Sequence, residues 1–270
     1  MTTATPKAGT TDQIPQVSAS RRYRIPDILR GITLLSMTGY HLMWDLVYLY
    51  GVRAPWYRSY IGYIWQQSIC WSFILLSGFC WGLGKRPLRR GIYVSLCGAL
   101  VTIATVIFMP EQQVVFGVLT FLGAAMLLMI PTEKLTRNLP PAIGLSASAL
   151  LFFLIRNVNL GTLGFEGLEL AQLPDSLYQN LLTTFLGFPG PDFASTDYFS
   201  LLPWFFLFSA GHFLRRLLQP VMEKSRQPKT DGPLYSLSKP LVWLGQHSLL
   251  LYMLHQPIIY GICMAVFALI

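Results

Sequence analysis

A chain of 270 residues that is 53% hydrophobic and only 12% charged is too apolar for an ordinary water-soluble domain. It reads as all-α, a polytopic membrane helix bundle. The net charge of +8 is carried by short basic clusters between apolar runs, which membrane orientation explains and which argues against nucleic-acid binding.

Residues 1–24, rich in Thr, Ser, Ala and Pro, read as a disordered cytoplasmic tail without a cleaved signal, and residues 25–270 as a single transmembrane domain. At about 20 apolar residues per crossing, about seven spans are expected, roughly at 28–50, 61–84, 92–109, 113–131, 141–156, 199–217 and 241–265. With alternating sides, one face collects Lys7, Arg21, Arg22, Arg24, Lys85, Arg86, Arg89, Arg90, Lys134, Arg137, Arg215, Arg216, Lys224, Arg226, Lys229 and Lys239. The other holds Arg53, Arg58 and Arg156. By the positive-inside rule the N-terminus is cytoplasmic. Cys70, Cys80, Cys97 and Cys263 lie in apolar segments without a CxxC pair, so neither a disulfide framework nor a metal site is expected. No internal repeat is visible.

The first span, DILRGITLLSMTGYHLMWDLVYLYG, carries an arginine, a histidine and two aspartates. At about 100° per residue, Arg30 and His41 return to within about 20° of each other after roughly three turns. Asp45 follows His41 by one turn, Asp27 and Tyr48 share the same side, and Thr38 sits at its edge. Ionisable groups within a span cost a few kcal/mol or more and imply a protein-lined or wet interior. Arg30 falls near the inner rim and His41 about 16 Å further out, near mid-bilayer. A carboxylate at i+4 can accept from one imidazole nitrogen and leave the other as a base, so His41 and Asp45 outline a catalytic dyad. The alternative is that both merely hydrogen-bond neighbouring helices.

On the second span Gln66 and Gln67 either bond across helices or touch an acceptor, and the Gly78/Gly82 spacing is a packing device. The following KRPLRR loop places Lys85, Arg86, Arg89 and Arg90 at the inner mouth of the polar stripe, where they serve orientation or bind phosphates. Residues 157–198 carry five carboxylates and no lysine or arginine, an acidic extracytoplasmic segment. Within it SLYQNLLTTFLGF suggests an interfacial or re-entrant helix, with a plain loop as the alternative. Pro203 and Trp204 open the sixth span as an aromatic-belt feature, and His212 and His247 read as packing or interfacial residues. The last span places Ser248, Tyr252 and His255 at helical spacing, and Pro257 frees a carbonyl one turn earlier. His255 could donate to a developing oxyanion, contact an acyl carrier, or simply pack.

Two of these stretches resemble a known family. Arg30 and His41, with ten residues between them within RIPDILRGITLLSMTGYH, resemble the R-x10-H first-helix motif of the membrane acyltransferase superfamily, which includes the acyltransferase 3 sugar O-acetylases. LGQHSLLLYMLHQPII resembles their closing helix. The chain is shorter than acyltransferase 3 members and looks more like the compact bacterial branch related to heparan-alpha-glucosaminide N-acetyltransferase. That similarity rests on YHxxxDL at Tyr40 to Leu46, LLSG at Leu75 to Gly78 and LPWF at Leu202 to Phe205.

The resemblance implies transfer of an acyl group, usually acetyl, from cytoplasmic acyl-CoA to an extracytoplasmic sugar or glycan hydroxyl or amine. Coenzyme phosphates would meet Arg30, with Asp27 beside it, and some of Lys85, Arg86, Arg89 and Arg90. His41 would act as general base or as acyl-carrying nucleophile, oriented by Asp45, with Gln66, Trp204, Ser248, Tyr252 and His255 as further substrate contacts. This expectation describes a multi-pass enzyme of the bacterial cytoplasmic (inner) membrane, in contact with lipid and with room for a homodimer. Two competing classes are a proton-coupled small-molecule transporter, relaying protons through Asp27, His41 and Asp45, and a non-catalytic envelope-assembly partner.

Overall fold

The computed structural model describes residues 23–224 and 237–269. Residues 1–22 of the expected tail, with Lys7, Arg21 and Arg22, fall outside the described residues, as do Arg226 and Lys229. Helix α1 (Arg24–Trp44) begins at the last residue assigned to that tail, and it widens into a π-helical turn over Asp45–Leu49. There follow α2 (Tyr60–Trp81), α3 (Pro87–Phe108), α4 (Val118–Thr136) and α5 (Pro141–Leu154). Beyond the acidic segment of residues 157–198 lie α7 (Leu201–Lys224), α8 (Lys239–Gln246) and α9 (Ser248–Phe267). The starts are chemically marked. Ser59 caps α2 by accepting from the Ile61 amide, and prolines open α3 and α5, where a missing N–H costs nothing.

Each expected span contains a helix, but the last is two. Residues 241–265 break at His247, whose backbone leaves helical geometry between α8 and α9. By length and apolar composition, α3, α4 and α9 are long and apolar enough to cross a membrane, and α5 is a shorter apolar helix. On α3 the large apolar side chains Tyr93, Leu96, Leu100, Ile103 and Ile107 face outward, as expected of a surface meant for lipid.

Packing is organised by close helix crossings. α1 lies against α2, α8 and α9, α2 against α7, α7 against α5, and α3 against α4. Two crossings depend on reciprocal glycines. A Cβ on Gly78 would lie 1.9 Å from the Phe208 carbonyl oxygen and one on Gly211 2.1 Å from that of Leu75, which brings α2 and α7 into backbone contact. Gly31 and Gly245 do the same for α1 and α8, against Leu241 and Asp27. Ile74, Phe121, Met129, Phe152 and Phe208 fill the centre and are almost wholly buried.

The acidic segment of residues 157–198 is not a plain loop, and a short helix lies within its apolar stretch. It folds as a hairpin of β1 (Thr162–Phe165) and β2 (Leu168–Gln172), paired Leu163 to Ala171 and Phe165 to Leu168, followed by the short α6 (Leu181–Leu186). The apolar run stops after six helical residues because a capping box of Asn180 and Thr183 starts it late and Gly187, at φ 138°, ends it. Asn159 ties the segment to the start of α7 by donating to the Gly187 carbonyl at 3.0 Å and to Ser200 Oγ at 2.9 Å.

Candidate active site

The two ends of the chain meet at His41. α1 supplies His41 and Asp45, and α9 supplies His255 and Gln256. The His41 and His255 rings stand 4.8 Å apart, centre to centre, at 62°. One turn along, Gln256 Nε2 donates to Asp45 Oδ1 at 2.8 Å. Tyr40 lies edge-on to His41 at 5.9 Å, and the Tyr57 hydroxyl, donating to the Tyr40 carbonyl at 3.0 Å, secures that turn of α1.

The expected His41–Asp45 hydrogen bond is not formed. The i+4 spacing is present, but the π-turn opens at Asp45 and the carboxylate pairs with α9 instead. Asp45 is wholly buried, and its Oδ2, Gln256 Oε1 and His255 Nε2 are buried without hydrogen-bond partners. Unmatched polar atoms clustered in a helix-bundle interior are uncommon and mark a place where chemistry or a ligand is accommodated. His255 Nδ1 lies 2.5 Å from the Tyr252 carbonyl oxygen. Tyr252 stacks on Phe73 at 5.7 Å and borders a cavity of about 10 Å³ shared with Gly98, Thr120 and Asp197, the size of one water. Ser248 starts α9 two turns from His255, and Pro257 is absorbed without ending the helix.

At the basic end, arginines converge on the C-terminus of α2, where the helix dipole favours cations. Arg90 folds back to donate to the Trp81 carbonyl at 3.3 Å and lies over Gly84, where a Cβ would fall 1.7 Å from its Nη1. Arg30 is within electrostatic reach of Arg90 and, with Asp27, of Cys80. Lys85, Arg86 and Arg89 are exposed. Arg215, counted in the sequence only for orientation, covers Gly82 with its Nε buried and unpartnered. Its role was hidden because adjacent arginines at a span end are already explained by topology.

At the opposite end Gln66 is exposed, and Gln67 makes the contacts. Gln67 Oε1 accepts from Arg156 Nη2 and from Trp71 Nε1, both at 3.1 Å. Arg156 lies over the buried Trp204 ring at 4.8 Å and 3.9 Å from Glu166, which accepts from the Tyr63 hydroxyl at 2.6 Å. Trp204 is therefore a buried partner of Arg156, not an exposed belt residue. The available signal was Arg156 as the one basic residue bordering an acidic segment. His247 is exposed and bonded to the Trp243 carbonyl, while His212 is fully buried between Trp81 and Phe213.

The sequence model of the family described as heparan-alpha-glucosaminide N-acetyltransferase, catalytic, matches residues 22–257, which takes in α1 through His255 and Gln256. No curated protein and no solved structure matches the chain. With a match over most of its length and with apolar helices able to span a membrane, the chain belongs to the heparan-alpha-glucosaminide N-acetyltransferase catalytic family, a family of membrane acetyltransferases.

Proposed function

We propose that the protein transfers an acetyl group from cytoplasmic acetyl-CoA to the amine or hydroxyl of an extracytoplasmic sugar or glycan, with His41 at the point of transfer. The observation that carries this reading is the His41–His255 pair, assembled from opposite ends of the chain beside the buried Asp45. In this reading about seven helical crossings place the basic end in the cytoplasm, following the distribution of lysine and arginine. The phosphates of the coenzyme meet Arg30 and Arg90, with Lys85, Arg86 and Arg89 at the rim, because guanidinium groups that form no salt bridge among the described residues suit phosphate oxygens. The thioester then reaches the middle of α1. His41 acts on the reacting groups as base or nucleophile, and Asp45 fixes the centre by holding α9 through Gln256.

The decisive experiment gives purified protein in detergent or lipid acetyl-CoA with glucosamine as probe acceptor and follows free thiol and acetylated sugar. Acceptor-stimulated CoA release that His41→Ala abolishes supports the reading. Release that survives His41→Ala overturns the assignment of His41, and no release at all under any acceptor overturns acyl transfer.

A further inference from the structure

The i+4 spacing of His41 and Asp45 nominates the carboxylate as the partner of the histidine, yet α9 takes the two apart. Gln256 holds Asp45, while the preceding residue, His255, faces His41. The contact made by His255 on its other side decides what it can offer. A carbonyl oxygen only accepts, so the 2.5 Å contact between Nδ1 and the Tyr252 carbonyl places the proton on Nδ1. The neutral ring then carries a lone pair on Nε2. That atom is buried and has no hydrogen-bond partner among the described residues. It is an acceptor, not the oxyanion donor that the sequence suggested.

We propose that His255 is the positioning and proton-accepting partner of His41, and that the Asp45–Gln256 bond is the staple that sets the distance between the two rings. The chemistry rests on the acetyl-transfer reading. As the acceptor heteroatom bonds to the acyl carbon, its proton passes to one ring nitrogen of His41. The carbon–sulfur bond breaks and its electron pair leaves on sulfur. The proton on the other nitrogen of His41 passes to Nε2 of His255, and the resulting imidazolium returns a proton to the thiolate, so that acetyl-CoA and acceptor become free CoA and acetylated acceptor. If His41 instead attacks the thioester, the thiolate leaves, His255 takes up the remaining ring proton of His41 and passes it to the thiolate, and the acceptor then attacks the neutral acyl-imidazole, its proton going to His41 as the carbon–nitrogen bond breaks. In both routes the relay runs between two histidines and leaves Asp45 in place.

The test has a spectroscopic and a kinetic arm, both on the full chain in lipid. With only four histidines in the protein, ¹⁵N-histidine solid-state NMR resolves each ring, and the H41A and H255A variants assign the pair. The expected result is a neutral His255 protonated on Nδ1, whose Nε2 signal shifts when His41 is removed. A His255 protonated on Nε2, or one indifferent to His41→Ala, overturns the proposal. In turnover with acetyl-CoA and glucosamine, His255→Ala is expected to lower kcat on the order of 100-fold with little change in KM for acetyl-CoA. His255→Gln, whose side-chain carbonyl can accept from a proton-bearing nitrogen of His41 but takes up no proton, is expected to recover about tenfold of that loss. Native kcat in His255→Ala overturns the proposal while leaving acetyl transfer intact. If the unaltered protein shows no transfer, acetyl transfer itself fails, and the NMR arm still decides whether the two histidines are paired.

Discussion

Gln256 Nε2 donates to Asp45 Oδ1 at 2.8 Å, joining residues 211 positions apart in the chain. The bond gives a wholly buried carboxylate its one partner among the described residues and fastens α9 to the π-helical turn that follows α1. Gln256→Leu leaves the carboxylate buried and unmatched, at an expected cost of about 2–3 kcal/mol. Asp45→Asn, which keeps an oxygen for Gln256, is expected to cost less. Unfolding of both variants in the same detergent measures the difference, and equal stabilities would show that the bond contributes nothing.

The crossing of α2 and α7 leaves no room for side chains at Gly78 or Gly211, because each Cβ would meet a carbonyl oxygen of the facing helix. Replacing either glycine by alanine is expected to destabilise the protein by about 1–3 kcal/mol through forced separation of the helices. Since both substitutions open the same crossing, the double variant is expected to lose less than the sum of the two. Strict additivity in melting measurements would contradict a shared contact.

Arg90 and Arg215 flank the end of α2 over Gly84 and Gly82. If this cluster receives the coenzyme phosphates, Arg90→Gln and Arg215→Gln each weaken acetyl-CoA binding about tenfold, or roughly 1.4 kcal/mol. S-acetylpantetheine, which lacks the phosphates, serves as the control and is expected to bind both variants as it binds the unaltered protein. Changes at the exposed Lys85, Arg86 or Arg89 are expected to weaken binding only slightly, because solvent screens them. Titration calorimetry of the same variants reads all of these quantities.

Asp197 lies in the loop before α7 and accepts from the Val118 amide at the start of α4 at 3.2 Å. Burial pushes its carboxyl up to about 6, against the partial relief of that hydrogen bond. A carboxyl whose folded pKa is raised contributes stability fully below about pH 4, and that contribution is lost as pH rises through about 6. Stability from this group is therefore expected to fall by about 2–3 kcal/mol between about pH 4 and pH 7. Asp197→Asn, which retains the accepting oxygen and cannot ionise, is expected to flatten the pH dependence of the unfolding temperature in this window. An unchanged pH profile would show that the carboxyl is solvated in the folded protein.

Much of this architecture was legible in the order of residues alone. Apolar runs long enough for helices, prolines at their starts and basic clusters between them specify a helical membrane bundle, since these properties act through local propensity and the cost of burying charge. The polar stripe of Arg30, His41 and Asp45 was equally visible, because helical periodicity is a local property. Partnership across helices was not. The His41–Asp45 spacing was right and the bond was wrong, because the π-turn at Asp45 and the position of α9 determine what lies opposite the carboxylate. In the same way Gln67, not its neighbour Gln66, meets Arg156, and Arg215 joins the basic end through a close approach to Gly82. One residue step on a helix turns a side chain by about 100°, so which of two neighbours faces a partner depends on how the helices rotate and cross. The sequence by itself determined the helices, their apolar character and the polar face of the first one. Only the tertiary structure decided that His41 faces His255 and that Asp45 belongs to Gln256, because those contacts are set by glycine-tight crossings between segments more than two hundred residues apart.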